Sequence, residues 1–157
     1  MSKRRTKDQL RRELEQTQAL LARYQAQEAT AITSPVVGIE ALRKFVDIGS
    51  LEQEHFWAIL LNARQQVLKV VLVAKGTVAS VDTHPRDIFR EAVRMNAHAL
   101  ILAHNHPSEN PEPSSADDAL TDRMAEAGQL LGIPVLDHLV VTRHDAYSYA
   151  QRGRGPF

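Results

Sequence analysis

Apolar residues follow two different rhythms along this chain, and the change of rhythm marks out its parts. Over residues 3–28, Leu10, Leu14, Leu21 and Tyr24 recur at helical spacing among Gln, Glu, Arg and Ala, with no Gly or Pro. That predicts an isolated helix with a narrow apolar stripe. Residues 29–35, Ala-Thr-Ala-Ile-Thr-Ser-Pro, read as a linker, and a short helix is predicted over 39–46, ending near Gly49. Residues 55–61 and 67–74 are then apolar runs rich in branched side chains, separated by a polar stretch over 62–66. This is the pattern of a β-hairpin with a multi-residue loop. A short third strand is predicted over 78–81. Thr83-His84-Pro85 opens a helix to about Ala97, because proline suits a first helical turn. Residues 99–104 form a short apolar strand, followed by a polar, proline-rich loop over 105–113. Ser114 or Ser115 starts a helix that runs to Leu131, where Gly132 and Pro134 supply a stop signal. A strand over 135–142 and a short element over 146–150 complete the pattern. Alternating strands and helices predict a mixed α/β domain with a sheet between helices.

Composition narrows the function classes. The chain has 157 residues, which suits one compact domain plus an appendage. Lys+Arg and Asp+Glu are both 19, so overall charge gives no argument for a nucleic-acid or membrane partner. Charge is uneven locally: residues 1–23 hold seven Lys/Arg against three acids. The bland reading is a solvated helix that packs its stripe on the domain or on a second copy, as in a homodimer. The sharper one is a basic arm making weak nucleic-acid contact through residues 3–12. There is no cysteine, which removes disulfides, thiolate metal sites and cysteine nucleophiles together. It fits a cytoplasmic location. The basic start is followed by no apolar signal-peptide core, and no apolar run is long enough for a transmembrane helix.

The chemistry concentrates in His104-Asn105-His106-Pro107 and Ser114-x-x-Asp117. Side chains two apart on an extended chain point the same way, so His104 and His106 can reach one metal ion from a strand end. Pro107 keeps His106 extended. Ser114 is a good N-cap, which places Asp117 at the third helical position, pointing back toward the loop. If the register slips by one, Asp118 takes that place. Two imidazoles and a carboxylate with a fourth position open form the catalytic rather than the structural zinc pattern. A lone His-x-His is common by chance and a lone Ser-x-x-Asp is usually only a capping box. The combination is far more specific.

His104-x-His106, seven residues, Ser114, two residues and Asp117 match the JAMM signature without a gap, and the wider text resembles the RadC branch of that family. The matching phrases are Glu54-His55-Phe56, His84-Pro85-Arg86, Ile101-Leu102-Ala103-His104-Asn105-His106-Pro107-Ser108 and Leu130-Leu131-Gly132-Ile133-Pro134-Val135-Leu136-Asp137-His138. The resemblance covers residues 36–153, leaving a tail over 154–157. It implies an MPN/JAB fold, an α+β three-layer arrangement of cytidine-deaminase-like architecture with a mixed sheet flanked by helices, and a zinc site. It also implies an upstream glutamate as general base, a place Glu54 occupies. Two departures stand out. RadC-like proteins often carry a helix-hairpin-helix module ahead of this domain, where here only the basic helix and linker precede it. Glu109 stands where the branch usually has glycine.

With these residues the expected activity is zinc-dependent hydrolysis of a peptide or isopeptide bond in a protein or peptide substrate. Zinc lowers the pKa of bound water, Glu54 takes its proton, and the Ser114 hydroxyl helps stabilise the oxyanion. The substrate class comes from the resemblance, since the ligand set alone allows other hydrolyses. The competing class is a non-catalytic RadC-like module of a DNA repair or recombination complex. A cytidine-deaminase activity is excluded, because His-x-Glu and Pro-Cys-x-x-Cys are missing. His55, His84, His98, His138 and His144 read as structural or surface residues, with His138, beside Asp137 in a strand, the least settled of them.

Overall fold

The computed structural model describes residues 31–76 and 83–157, with Lys7 and Gln9. The helix expected over 3–28, apart from those two residues, and the strand expected over 78–81 lie outside the described residues. The first described element is helix α1 (Pro35–Phe45), followed by a single 3-10 turn at Ile48–Ser50. Strands β1 (His55–Leu61) and β2 (Val67–Lys75) form the expected hairpin. Helix α2 (Pro85–Arg94), strand β3 (Ala99–Asn105), helix α3 (Ser115–Leu131), strand β4 (Val135–Val141), strand β5 (Ala146–Ser148) and the single-turn helix α4 (Tyr149–Arg152) complete the order.

The described strands form one sheet in the order β2-β1-β3-β4-β5. β3 and β4 are parallel and all other neighbours antiparallel, so the sheet is mixed. Helices cover both faces, which explains why β1 and β3 are apolar without alternation. Phe56, Ala58, Leu60, Leu100 and Leu102 face one way and pack on Ile88, Phe89 and Ala92 of α2 and on Leu120 and Met124 of α3. Trp57, Ile59, Leu61, Ile101 and Ala103 face the other way, toward Leu42 of α1, Ile48 and Ile32. Each fully buried Leu or Ile contributes about 1.5–3 kcal/mol, so both layers are held by substantial apolar burial. The fold is α+β in three layers, as expected for an MPN/JAB domain.

Two boundaries differ from the sequence reading, each for a local reason. α1 begins at Pro35, four residues early, because Ser34 is its N-cap and Pro35 its first residue. The preceding segment is docked rather than free. Ile32 is buried and donates its N–H to the Gln65 carbonyl at 2.9 Å, and Ala31 bridges Gln66. α2 stops at Arg94, since Asn96 turns left-handed (φ 50°) and Ala97 donates back to Ala92.

Candidate metal centre

The site lies where the parallel strands β3 and β4 end and α3 begins. The β3/β4 pairing reaches Asn105 opposite Val141, and His106 continues it by donating its N–H to the Val141 carbonyl at 3.0 Å. This keeps His104, Asn105 and His106 extended, with both imidazoles on the side facing α3. Ser114 caps α3 and forms a capping box with Asp117. Asp117 Oδ2 accepts from the Ser114 N–H at 2.7 Å and from its hydroxyl at 2.8 Å. Two donors thus fix one carboxylate oxygen and leave Oδ1 facing His104 Nε2 at 3.3 Å.

His104 Nε2 and His106 Nε2 stand 2.9 Å apart, and the ligand atoms of His104, His106 and Asp117 all lie within 4.8 Å of one another. His104 and Asp117 are buried and His106 is half-buried. His106 Nδ1 lies 2.7 Å from the Asn110 carbonyl, which can only accept. In the neutral ring the proton therefore sits on Nδ1, and the Nε2 lone pair faces His104 and Asp117, where a metal would take it. A cluster of acceptors this tight calls for a cation at its centre, and the donor set of two nitrogens and one oxygen fits zinc. In the metal-free site burial pushes the Asp117 carboxyl up, but His104 and His106, once their rings carry a second proton on Nε2, donate to it and hold it far below the ordinary carboxylate range. His106 is raised, first by its hydrogen bond with Asp117, against the opposing effect of burial.

Asn105, between the two histidines, reaches across to the segment carrying Glu54. Its Oδ1 accepts from the His55 N–H at 2.6 Å and its Nδ2 donates to the Gln53 carbonyl at 3.0 Å. Both backbone neighbours of Glu54 are therefore pinned by one buried amide. Phe56 pairs with His104, so the register continued two residues back sets Glu54 opposite His106, on the same sheet face. Glu54 lies close enough to contribute to the raised His106 value. It precedes the first residue of β1 and is half-buried. Asp118, the alternative ligand, is turned away. Its oxygens accept from Arg154 Nε and Nη2 at 2.8 and 2.6 Å and from the Tyr149 hydroxyl at 2.9 Å.

A cavity of about 520 Å³ adjoins His106, lined in part by Ser50, Glu52, Glu109 and Arg143. Glu109 has φ 63°, a left-handed conformation that suits glycine. Its carboxylate accepts from the Arg143 N–H at 3.1 Å, which ties the histidine loop to the β4–β5 turn. Sequence reasoning did not single out Asn105 or Thr121, and it left His138 unresolved. His138 is fully buried, with Nε2 2.8 Å from His104 Nδ1. Trp57 packs in the core.

The pattern of the RadC-like JAB domain family matches residues 32–154. This chain belongs to that family. Among curated relatives, it is 50% identical over 103 residues to a UPF0758 protein of Symbiobacterium thermophilum, covering 66% of this chain and 44% of that protein. It is 51% identical over 90 residues to a UPF0758 protein of Desulforudis audaxviator, covering 57% of this chain and 39% of that one. The chain thus spans less than half the length of these relatives. The RadC-like JAB match takes in Glu54, both histidines, Ser114 and Asp117, so every expected site residue lies inside the family's own domain. Among the described residues, no helix is long and apolar enough to cross a membrane.

Proposed function

We propose that this RadC-like JAB domain is a zinc-dependent hydrolase of the JAMM type, acting on peptide or isopeptide bonds. The observation that carries the reading is the convergence of His104 Nε2, His106 Nε2 and an Asp117 oxygen within 4.8 Å, beside an open cavity. When bound, zinc supplies a water of lowered pKa and a Lewis acid for the substrate carbonyl. The protein supplies the rest. Glu54, held by the Asn105 clamp opposite His106, accepts the proton of the attacking water and returns it to the leaving amine. Ser114 orients Asp117, and its hydroxyl hydrogen is directed to Asp117 Oδ2 at 2.8 Å. Its first role is therefore to aim the carboxylate, and donation to an oxyanion requires the hydroxyl to rotate away. Of the expected site residues only His106 lines the adjoining cavity, so substrate held there would reach the site past His106.

The test is a zinc-loaded screen on peptide and isopeptide libraries with Glu54→Gln as control. Glutamine keeps the size but cannot accept a proton at neutral pH, so hydrolysis should fall about 10²–10⁴-fold while zinc content is unchanged. Near-full activity in the variant removes Glu54 as the base and makes Glu52 the nearest candidate. Loss of zinc would make Glu54 a ligand instead.

A further inference from the structure

The imidazole of His104 is the end of a buried chain of polar groups whose direction can be worked out from its far end. Thr121 Oγ1 lies 2.6 Å from the Asp117 carbonyl oxygen. A carbonyl carries no proton, so the hydroxyl hydrogen must lie in that contact. His138 Nδ1 lies 2.6 Å from the same Thr121 Oγ1, which now has only lone pairs to offer, so His138 Nδ1 is the donor. The neutral imidazole then has a bare Nε2, and that atom faces His104 Nδ1 at 2.8 Å. His104 Nδ1 must donate to it, which leaves the His104 Nε2 lone pair directed at His106 and Asp117.

Packing holds the plane of the His138 ring. Tyr149 stacks on its ring with centroids 5.0 Å apart and planes 11° apart, and Phe56 meets it edge-on at 5.8 Å. The strand beneath is fixed as well: buried Asp137 accepts from the His138 and Ala150 N–H groups at 2.7 and 3.0 Å and from the Ser148 hydroxyl at 2.6 Å. His138, Thr121 and His104 are all 0% exposed, so water does not compete for these contacts. The chain also closes on itself, since it begins at the backbone of Asp117 and ends beside that residue's own side chain.

We propose that Thr121 and His138 are positioning residues for the metal centre, fixing the tautomer and ring plane of His104 through the one-way series His104 Nδ1–H to His138 Nε2 and His138 Nδ1–H to Thr121 Oγ1. The inference rests on the metal reading above. Its test separates the two, because one readout needs no metal. Hydrogen-bonded partners behind a ligating histidine typically change metal affinity 10–100-fold.

Thr121→Val keeps the branched shape and removes the acceptor, whereas Thr121→Ser keeps the hydroxyl. Zinc affinity, measured by competition with a chelator, should weaken about 10–100-fold in Thr121→Val and return to within a few-fold of the parent in Thr121→Ser. Long-range ¹H–¹⁵N NMR of the histidine rings, recorded without metal, should show His138 protonated on Nδ1 and bare on Nε2. A purely packing role predicts equal thermal losses without a change in zinc affinity. Thr121→Val binding zinc as tightly as the parent, or His138 carrying its proton on Nε2, overturns the proposal. If Thr121→Val does not fold, the NMR assignment on the unaltered protein still decides it. If the domain binds no zinc at all, an Nδ1-protonated His138 upholds the series while the metal reading fails.

Discussion

Replacing Asp117 by Asn tests the site through two effects of different size. In the parent, Oδ2 takes two donors from Ser114 at 2.7 and 2.8 Å, while Oδ1 faces His104 Nε2 at 3.3 Å. The amide oxygen of Asn can take over the Oδ2 position and keep both Ser114 bonds. Its NH₂ must then occupy the Oδ1 position and point a donor at His104 Nε2, where the metal should be. The capping box therefore survives and the ligand does not. Each Ser114 bond falls from the charged range, about 1.5–3 kcal/mol, to the neutral range, about 0.5–1.5 kcal/mol. Part of that loss is offset because a residue only 2% exposed no longer buries a charge. The net cost without metal should be about 1–2 kcal/mol, or about 2–8 °C in Tm for a chain of this size. Zinc binding should be lost at concentrations that saturate the parent. The assay is metal content after dialysis, beside a melting curve recorded in chelator. An Asn variant that keeps full zinc shows that Asp117 is not a ligand. One that unfolds outright shows that the carboxylate is a structural keystone and the capping-box argument wrong.

Three further outcomes follow from the packing. A chain starting at Ala31 should fold and bind zinc, whereas one starting at Ser34 should lose about 2–5 kcal/mol with the buried Ile32; denaturant melts that coincide remove Ile32 from the core. Arg154, then the Tyr149 hydroxyl, hold the Asp118 carboxyl below its ordinary value against burial. A depressed carboxyl gives stability that is complete above its unfolded value, about 3.9, and lost as pH falls through the folded one, so Arg154→Gln should flatten the acid loss below about pH 4. Equal acid slopes in the two proteins refute that pairing. Gly128→Ala should destabilise by about 1–3 kcal/mol, because its new Cβ would lie 2.6 Å from the Ile133 carbonyl oxygen; an unchanged melt would show that the α3–β4 turn yields freely.

What could be read from the sequence was what neighbouring residues decide. His104, His106, Ser114 and Asp117 sit within fourteen positions, and strand alternation plus a helix cap suffice to aim them at one point. The hairpin and the α3 stop at Gly132 were legible for the same reason, since loop polarity and a left-handed cap act locally. The Ser34–Pro35 start of α1 was equally local, but it was assigned to a linker because its serine and proline also suit one. The supporting partners are another matter. Asn105 meets His55 across 50 positions, His138 meets His104 across 34 and Thr121 across 17. None of these pairs leaves a periodic trace, because a single polar residue on an apolar strand or helix face looks like an exception until its partner is placed opposite. Yet the exceptions themselves are informative. His138 interrupts the apolar run of β4, and Thr121 falls on the buried stripe of α3 between Leu120 and Met124. A polar side chain in such a position loses its hydration and must be matched inside the protein. Two such residues on elements that both converge on a metal motif have few other places to find that match. The search for what supports a site can therefore begin with the polar residues that its own core elements have no apolar reason to keep.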